Sequence, residues 1–321
     1  MPDRVRITDV SPRDGLQNEP GVIPTADKVR LIEHLCRTGV DEIEATSFVS
    51  PKWVPQLGDA RAVLEQVTQS LRENWTDPKL PGVPCLSVLV PNARGMEDVY
   101  KFHAEVATVE KVAVFTAASE TFSQRNTNAS IAETLERFKP VIEMAKHACG
   151  KPIAVRGYLS CVIACPFEGS IAPETIAVIS KQLIDLGIDE LDLGDTIGAG
   201  TPETVHAMLK TVVKQIGSHW LHRDRLTLHL HDTFGRAADC VKAALDLGVR
   251  SFDGSVAGLG GCPYASTPGK RAPGNIATEL LVRTIHESGY TTGVDLDALA
   301  EAAAFARKIV AASRAPSGGA T

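Results

Sequence analysis

The chain has 321 residues, of which 44% are hydrophobic and 22% charged, and its formal net charge is −6 at pH 7. This composition is typical of a globular protein that buries a large core, and it argues against disorder. Apolar runs are shorter than the ~18–20 residues of a membrane-spanning helix, and the acidic balance argues against a nucleic-acid partner.

The cysteine content and the N-terminus together indicate a cellular compartment. Seven cysteines are an odd number, and their spacing does not suggest a disulfide framework. Residues 4–10 already have a strand pattern, where a secretory signal would carry an apolar segment. We therefore predict a reducing, cytoplasmic location.

Short β-rich segments alternate with helical patterns along the chain. The predicted strands are 4–10, 40–46, 85–90, 111–117, 153–160, 189–195, 226–232 and 251–257. This alternation predicts a (β/α)8 TIM barrel over residues 1–290, with a C-terminal helix and tail, residues 291–321, packed on it. An open, doubly wound sheet is the alternative, because alternation alone does not prove closure.

Two helices show clear start and stop signals. Thr201 predicts an N-cap before a proline at the first helical position, and Gly217 ends an apolar stripe of three-and-four spacing. Thr25 is predicted to cap the first helix, which Gly39 ends. A further helix is predicted over residues 295–313.

Polar residues are concentrated where the predicted strands end, which is where TIM barrels carry their chemistry. These residues are Asp14, Glu44, Ser47, Tyr158, Asp195, His229 and His231. In a strand, residues two apart point the same way, so His229 and His231 both face the barrel axis.

Two imidazoles near the carboxylate of Asp14 favour a divalent metal, and Arg13 adds a permanent cation. A pair of structural core histidines is the simpler alternative. The same donor set also describes a non-haem iron oxygenase, so the metal alone does not identify the reaction.

Several blocks of sequence together resemble the hydroxymethylglutaryl-CoA lyase-like family of metal-dependent lyases. The blocks are SPRDGLQNE (11–19), EATSFVSPKWVPQLGD (44–59), LGDTIGAGTP (193–202), HLHDTFGRA (229–237), GLGGCPYA (258–265) and GNIATE (274–279). The resemblance covers residues 5–310. It implies a TIM barrel that cleaves a 3-hydroxyacyl-CoA to acetyl-CoA with Mg2+ or Mn2+, and a homo-oligomer that is a dimer or larger.

The resemblance also implies roles for individual residues. It assigns Arg13 to the thioester carbonyl, Cys262 to a loop near the substrate, and Gln17 to the neighbourhood of the substrate. The metal ligands that it implies are Asp14, His229, His231 and Asn275.

A retro-Claisen cleavage needs the tertiary hydroxyl deprotonated, the departing enolate stabilised, and that enolate protonated. Arg13 stays cationic and would stabilise charge on the thioester oxygen. Cys262, among glycines, is the candidate proton donor, and a buried small side chain in a turn is its simpler interpretation.

The remaining candidates have less support from the sequence. Glu44 would orient Arg13 or belong to an interior polar layer, and Asp195 would act in catalysis or have a structural role. Ser47 and Tyr158 are candidate substrate-binding residues, and Tyr158 has a structural alternative.

The segment between Cys262 and Asn275 contains STPGKRAP, which is longer and more basic than the loop associated with the family. A lyase for a related substrate such as citramalyl-CoA is therefore an alternative, and the loop also leaves the role of Asn275 open. A Claisen-type synthase and a metal-binding barrel without catalysis are two further alternatives.

Overall fold

The computed structural model describes residues 3–75, 80–106, 109–148, 150–261 and 274–315. Eight parallel strands form one closed barrel, because the strand Arg6–Asp9 pairs with both Glu42–Ser47 and Ser251–Gly254. The barrel strands are β1 (Arg6–Asp9), β2 (Glu42–Ser47), β3 (Cys85–Leu89), β4 (Lys111–Ala117), β5 (Ala154–Ser160), β8 (Glu190–Asp195), β9 (Leu226–Leu230) and β10 (Ser251–Gly254). The predicted TIM barrel is confirmed, and the open-sheet alternative is wrong.

Helices separate the barrel strands and cover them from outside. They are α1 (Thr25–Arg37), α2 (Ala60–Asn74), α3 (Ala93–Val106), α4 (Glu120–Thr127), α5 (Ile131–Lys146), α6 (Pro173–Leu186), α7 (Pro202–Ile216), α8 (Ala237–Asp246), α9 (Thr278–Glu287) and α10 (Leu296–Arg314). The sequence did not predict a short antiparallel hairpin between β5 and α6, formed by β6 (Ala164–Cys165) and β7 (Gly169–Ser170).

The predicted ends of α7 are confirmed, whereas the predicted cap at the start of α1 is wrong. The Thr201 hydroxyl accepts the N–H of Thr204, and α7 ends at Gly217, as predicted. Thr25 is instead the first residue of α1, and its hydroxyl donates to Asp59 Oδ2 at 2.7 Å. The cap prediction is wrong at Thr25 because the helix begins one residue earlier than expected, with Pro24 in the N-cap position.

The C-terminal helix lies against the outside of the barrel. α10 begins after Asp295, whose side chain accepts two backbone N–H groups, and it packs against α1. Near its end, Arg314 donates to both carboxylate oxygens of the buried Glu19, at 2.7 Å each. Within the described ranges, no helix combines the length and hydropathy needed to cross a membrane.

The hydrophobic core lies between the sheet and the helices, where Leu226, Leu228 and Leu230 of β9 point. The barrel axis is filled differently, by a buried network of charges around Arg156. Arg156 lies 2.7 Å from Glu190 and 3.2 Å from Glu42. Charged groups therefore replace an apolar layer below the C-terminal ends of the strands.

Candidate active site

A cavity of about 510 Å³ opens at the C-terminal ends of the barrel strands. It brings together seven of the residues that the sequence singled out from separate strands and loops. These are Arg13, Asp14, Gln17, Ser47, Tyr158, His229 and His231. Closure of the barrel explains the convergence, because it places all the strand ends on one rim.

Asp14, His229 and His231 form a compact donor group within this cavity. Each offers one ligand atom, and these atoms all lie within 4.8 Å of one another. Asn275 joins the group because its chain runs beside the end of β9, where it forms an antiparallel bridge with His231. The Asn275 amide Nδ2 donates to Asp14 Oδ2 at 2.8 Å.

The protonation states of these groups favour cation binding. Burial and the neighbouring His229 lower the pKa of His231 to about 4, so its imidazole is neutral near pH 7. Burial alone would raise the pKa of Asp14, but Arg13 and both histidines lower it to about 2. The site therefore offers an ionised carboxylate and a neutral imidazole.

Unsatisfied buried atoms provide a direct test of whether a metal fits this site. Asn275 Oδ1 and His231 Nδ1 are buried and have no hydrogen-bond partner among the residues that the structure describes. Leaving such atoms unpaired costs ~1–3 kcal/mol each, and a bound cation or its water ligands would remove that cost. Two imidazoles, a carboxylate and an amide oxygen suit a divalent metal.

His229 differs from His231 because a carboxylate holds its ring. His229 Nδ1 lies 3.1 Å from Asp253 Oδ2. Burial alone would lower the pKa of His229, but the hydrogen bond and charge of Asp253, together with the charge of Asp14, raise it overall. The Nε2 atom is then the one left for a ligand.

Arg13 is held beside the donor group by two carboxylates. Its Nε donates to Glu44 Oε2 at 2.5 Å, and Nη1 donates to Asp14 Oδ1 at 2.8 Å. Its guanidinium carbon also lies 5.6 Å from the centre of the Tyr158 ring. Burial alone would lower the pKa of Arg13, but Glu44 and Asp14 raise it above its usual value. Arg13 is a fixed, permanent cation.

The turn that carries Arg13 is itself anchored from below by Asp9. Residues Ser11–Gly15 form a π-helical turn directly after β1. The buried Asp9 carboxylate accepts the N–H of Ser11 at 2.9 Å, the N–H of Val256 at 3.1 Å and the hydroxyl of Thr278 at 2.6 Å. Asp9 thus connects the turn after β1 to Val256 and Thr278, which lie on either side of residues 262–273 in the sequence.

Tyr158 lines the cavity, whereas Glu44 supports it from behind Arg13. The sequence left both of these residues with a structural alternative. Glu44 is fully buried behind Arg13, so it acts through Arg13. The Tyr158 ring lines the cavity, but its hydroxyl lies 3.4 Å from Asp253 Oδ2 and 3.2 Å from Arg156 Nη1. The hydroxyl is therefore engaged with the barrel axis.

Asp195 ends β8, as expected, and its side chain bonds the turn that follows. Its two carboxylate oxygens accept the N–H groups of Ala199, at 3.0 Å, and Gly200, at 2.7 Å. It is not among the described residues that line the cavity. Asp195 therefore stabilises the turn between β8 and α7, and its catalytic role stays a prediction.

One predicted site residue cannot be placed. Cys262 and the following segment, including Lys270 and Arg271, lie outside the described residues. Gly261, directly before Cys262, lines the cavity.

The structure also reveals residues that the sequence analysis missed. Asp253 contacts His229, and Arg125 and Arg137 line the cavity. Strand alternation over 251–257 could have indicated that Asp253 faces inward. The two arginines lie on α4 and α5, where no sequence pattern distinguishes them from ordinary surface cations.

Comparison with known proteins gives consistent matches over nearly the whole chain. The family model described as HMGL-like matches residues 4–306. A cytoplasmic 3-hydroxy-3-methylglutaryl-CoA lyase of Mus musculus is 44% identical over 310 residues, which cover 97% of this chain and 82% of the relative. A mitochondrial hydroxymethylglutaryl-CoA lyase of Gallus gallus is 46% identical over 306 residues, covering 95% and 93% respectively.

A solved structure agrees with these sequence matches. The crystal structure of the HMG-CoA lyase from Brucella melitensis superposes with a TM-score of 0.84 at 44% identity. The match covers 96% of this chain and 99% of the other.

Proposed function

Because this chain belongs to the HMGL-like family, we propose that it is a divalent-metal-dependent carbon–carbon lyase acting on 3-hydroxy-3-methylglutaryl-CoA (HMG-CoA). The proposed products are acetyl-CoA and acetoacetate. The bond between C2 and C3 of the acyl chain breaks, the tertiary alkoxide becomes the new ketone, and the electron pair leaves on the acetyl-CoA enolate, which then takes a proton. The observation that carries this proposal is the convergence of Arg13 with the donor group of Asp14, His229 and His231 in one cavity.

The proposed metal is Mg2+ or Mn2+, held by Asp14, His229, His231 and Asn275. When bound, a divalent cation supplies Lewis-acid stabilisation that lowers the pKa of a substrate hydroxyl. The chain's own residues prepare the site: the two imidazoles offer lone pairs, and Asp14 contributes a negative charge beside Arg13.

Arg13 is the proposed group that stabilises the enolate. Among the described residues, two of its five N–H groups are committed to Glu44 and Asp14. The others remain for the thioester oxygen on which negative charge develops. Glu44 keeps the guanidinium in place through its 2.5 Å bond to Nε, and Cys262 remains the proposed proton donor to the enolate.

The outer part of the cavity suits the phosphates of CoA. Arg125 and Arg137 both line it and form no ion pair with any described residue. Arg125 lies over the Phe167 ring at 4.1 Å, and Arg137 donates to the carbonyl of Thr127 at 3.2 Å. Both guanidinium groups are therefore held near the cavity while their charge stays free for an anion.

Replacing Arg125 and Arg137 together with glutamine is expected to raise KM for the acyl-CoA substrate about tenfold, with kcat nearly unchanged. Each exposed charge contact is worth up to about 1 kcal/mol, and these contacts are distant from the reacting bond. Steady-state kinetics measures the change. The N-acetylcysteamine thioester lacks the phosphates and serves as the control, so an equal loss with that substrate would contradict the assignment.

The experiment that tests the function uses metal-stripped protein, to which Mg2+ or Mn2+ is returned. Acetyl-CoA release is measured with HMG-CoA and, separately, with citramalyl-CoA. Metal-dependent cleavage of HMG-CoA supports the proposal. Cleavage of citramalyl-CoA alone would support the proposed reaction type with a different substrate. No acetyl-CoA release from either substrate would favour a synthase or a non-catalytic barrel.

Replacing His231 with alanine is expected to weaken Mn2+ binding by more than about 100-fold, with cleavage activity lost at subsaturating metal. Loss of a supporting residue already costs about 10–100-fold, and His231 supplies a ligand itself. Titration calorimetry measures the affinity. His147→Ala, at a histidine side chain that is 72% exposed, is the matched control. Equal affinity of the His231 variant and the parent would remove His231 from the site.

Location and assembly follow as subsidiary proposals. We place the protein in the cytoplasm on its odd cysteine count, although its relatives include proteins named as cytoplasmic and as mitochondrial. We propose a dimer or larger assembly from the family resemblance, and light scattering after size exclusion measures its mass.

A further inference from the structure

His229 and Asp253 lie side by side on neighbouring strands. β9 and β10 are parallel, and their register pairs Asp253 with His229 directly. Both side chains face the barrel axis, and His229 Nδ1 lies 3.1 Å from Asp253 Oδ2. The contact is therefore built into the barrel register.

The contact determines which nitrogen of His229 carries the proton. A neutral imidazole has one N–H and one lone pair, and a carboxylate can only accept a hydrogen bond. Facing Asp253, Nδ1 carries the hydrogen and leaves the lone pair on Nε2. Within the described ranges His231 has no such partner, since its buried Nδ1 makes no hydrogen bond there.

The Asp253 carboxylate is itself held from the interior of the barrel. Arg156 Nη1 donates to Oδ1 at 3.2 Å and to Oδ2 at 3.4 Å, and the Tyr158 hydroxyl also lies 3.4 Å from Oδ2. Arg156 is anchored in turn by Glu190 at 2.7 Å and by Thr8 at 3.1 Å. Because all of these side chains are buried, the carboxylate cannot rotate away without breaking several bonds.

We propose that Asp253, held by Arg156, is a positioning residue that fixes the His229 tautomer and directs Nε2 toward the metal. The inference rests on the metal site of the proposed function and adds a residue that supports it. A chain of contacts then runs from the charge network on the barrel axis to one metal ligand.

Replacing Asp253 with asparagine tests the proposal with little change of shape. An amide has one oxygen and one NH2 group, and Arg156 attracts the oxygen. The NH2 group would then face His229 Nδ1 and favour the opposite tautomer, which places a hydrogen on Nε2. We expect Mn2+ affinity to fall about 10–100-fold, as for other residues that orient a metal-binding histidine.

The parent protein provides a readout that does not depend on activity or on any variant. The ¹⁵N shifts of the His229 ring are measured without metal, at an alkaline pH where the imidazole is neutral. We expect Nδ1–H in the parent and Nε2–H in Asp253→Asn. A parent spectrum with the hydrogen on Nε2 would overturn the proposal, even if the variant failed to fold.

Asp192→Asn is the matched control for changing a buried carboxyl group near His229 to an amide. Asp192 Oδ2 lies 3.5 Å from Arg156, and an oxygen of its carboxylate lies within 4.8 Å of a His229 nitrogen. Burial and the neighbouring Asp253 raise the pKa of Asp192 well above its usual value, so an amide at this position changes shape and charge little. We expect this variant to keep the parent tautomer and to bind Mn2+ within a fewfold of the parent.

The outcomes separate this inference from the proposed function. Equal losses of affinity in Asp253→Asn and Asp192→Asn would overturn the positioning role, because any change of a carboxyl group to an amide near His229 would then explain both. Parent-like Mn2+ affinity in Asp253→Asn would also overturn it, while leaving the metal site and the lyase activity intact. Absence of Mn2+ binding by the parent would instead refute the proposed metal site, and this inference with it.

Discussion

Arg13→Lys is expected to lower kcat for HMG-CoA cleavage by about 100- to 1,000-fold, or about 3–4 kcal/mol, while Mn2+ affinity stays within a fewfold of the parent. A lysine keeps the positive charge but presents a single ammonium group. It cannot bond Glu44 and Asp14 as the Nε and Nη1 atoms of Arg13 do and also aim further donors at the thioester oxygen. Kinetics at saturating metal and calorimetry with Mn2+ measure the two quantities separately.

The control for this variant is Arg283→Lys, on the exposed face of α9. It makes the same chemical change at a distance from the cavity, and parent-like kinetics are expected. If cleavage by the Arg13 variant were unaltered, the proposed stabilising role of Arg13 would have to be abandoned. If Mn2+ affinity and kcat fell together, Arg13 would act by shaping the metal site through its bond to Asp14.

Arg156→Met is expected to lower the free energy of unfolding by about 3–5 kcal/mol, the usual cost of removing one partner from a buried group of charges. The Arg156 side chain is only 1% exposed and bonds Glu190, Glu42 and Asp253 from the barrel axis. Arg6 and Lys111 remain beside the two glutamates, but among the described basic side chains only His229 remains beside Asp253. Denaturant unfolding measures the change.

Arg61→Met is the control, because the Arg61 side chain is 49% exposed and pairs with Glu65 and Glu105 at the surface. Such pairs contribute about 0.2–1 kcal/mol, so the loss of stability is expected to be small. A similarly small loss in Arg156→Met would show that the remaining cations, or water, compensate for the missing guanidinium. That result would contradict the expectation that a buried charge network loses stability when one of its charges is removed.

The stability and the chemistry of this barrel share one set of residues. Asp253 accepts bonds from Arg156 below it and lies against His229 at the cavity. The charges in the barrel interior are costly to bury, and a layer of apolar side chains would fill the same space. These buried charges would be useful if they orient the metal-binding side chains at the cavity. The Mn2+ affinities of the Asp253 and Asp192 variants test this explanation.

Much of the site was predictable because its signals are local in the sequence. Residues two apart in a strand share a face, so His229 and His231 identified the donor pair before any tertiary contact was known. The eight strands were also found, and Thr201 and Gly217 marked the ends of a helix correctly. Each of these features depends on residues that lie within a few positions of one another along the chain.

The limits of the sequence analysis also have a physical cause. Asp195 lies at the predicted strand end, but the sequence did not show that the turn that follows bonds both of its oxygens. Thr25 has the usual cap residue type, but it is the first residue inside the helix, and its hydroxyl donates to Asp59 from a distant segment. Whether a polar group is available for chemistry depends on which partners reach it, and a residue type does not contain that information.

The sequence by itself therefore determined the order and spacing of the strands, the histidine pair and the Arg13–Asp14 step, since these depend on backbone periodicity and on neighbouring residues. Closure of the barrel, the bridge that brings Asn275 to Asp14, and the contact of Asp253 with His229 were decided only by the tertiary structure. These contacts join residues that are 24 to 261 positions apart. The contact of Asp253 with His229 arises from the register between β9 and β10, and Asn275 reaches the site through its bridge to His231. Both depend on segments that meet only in the folded chain.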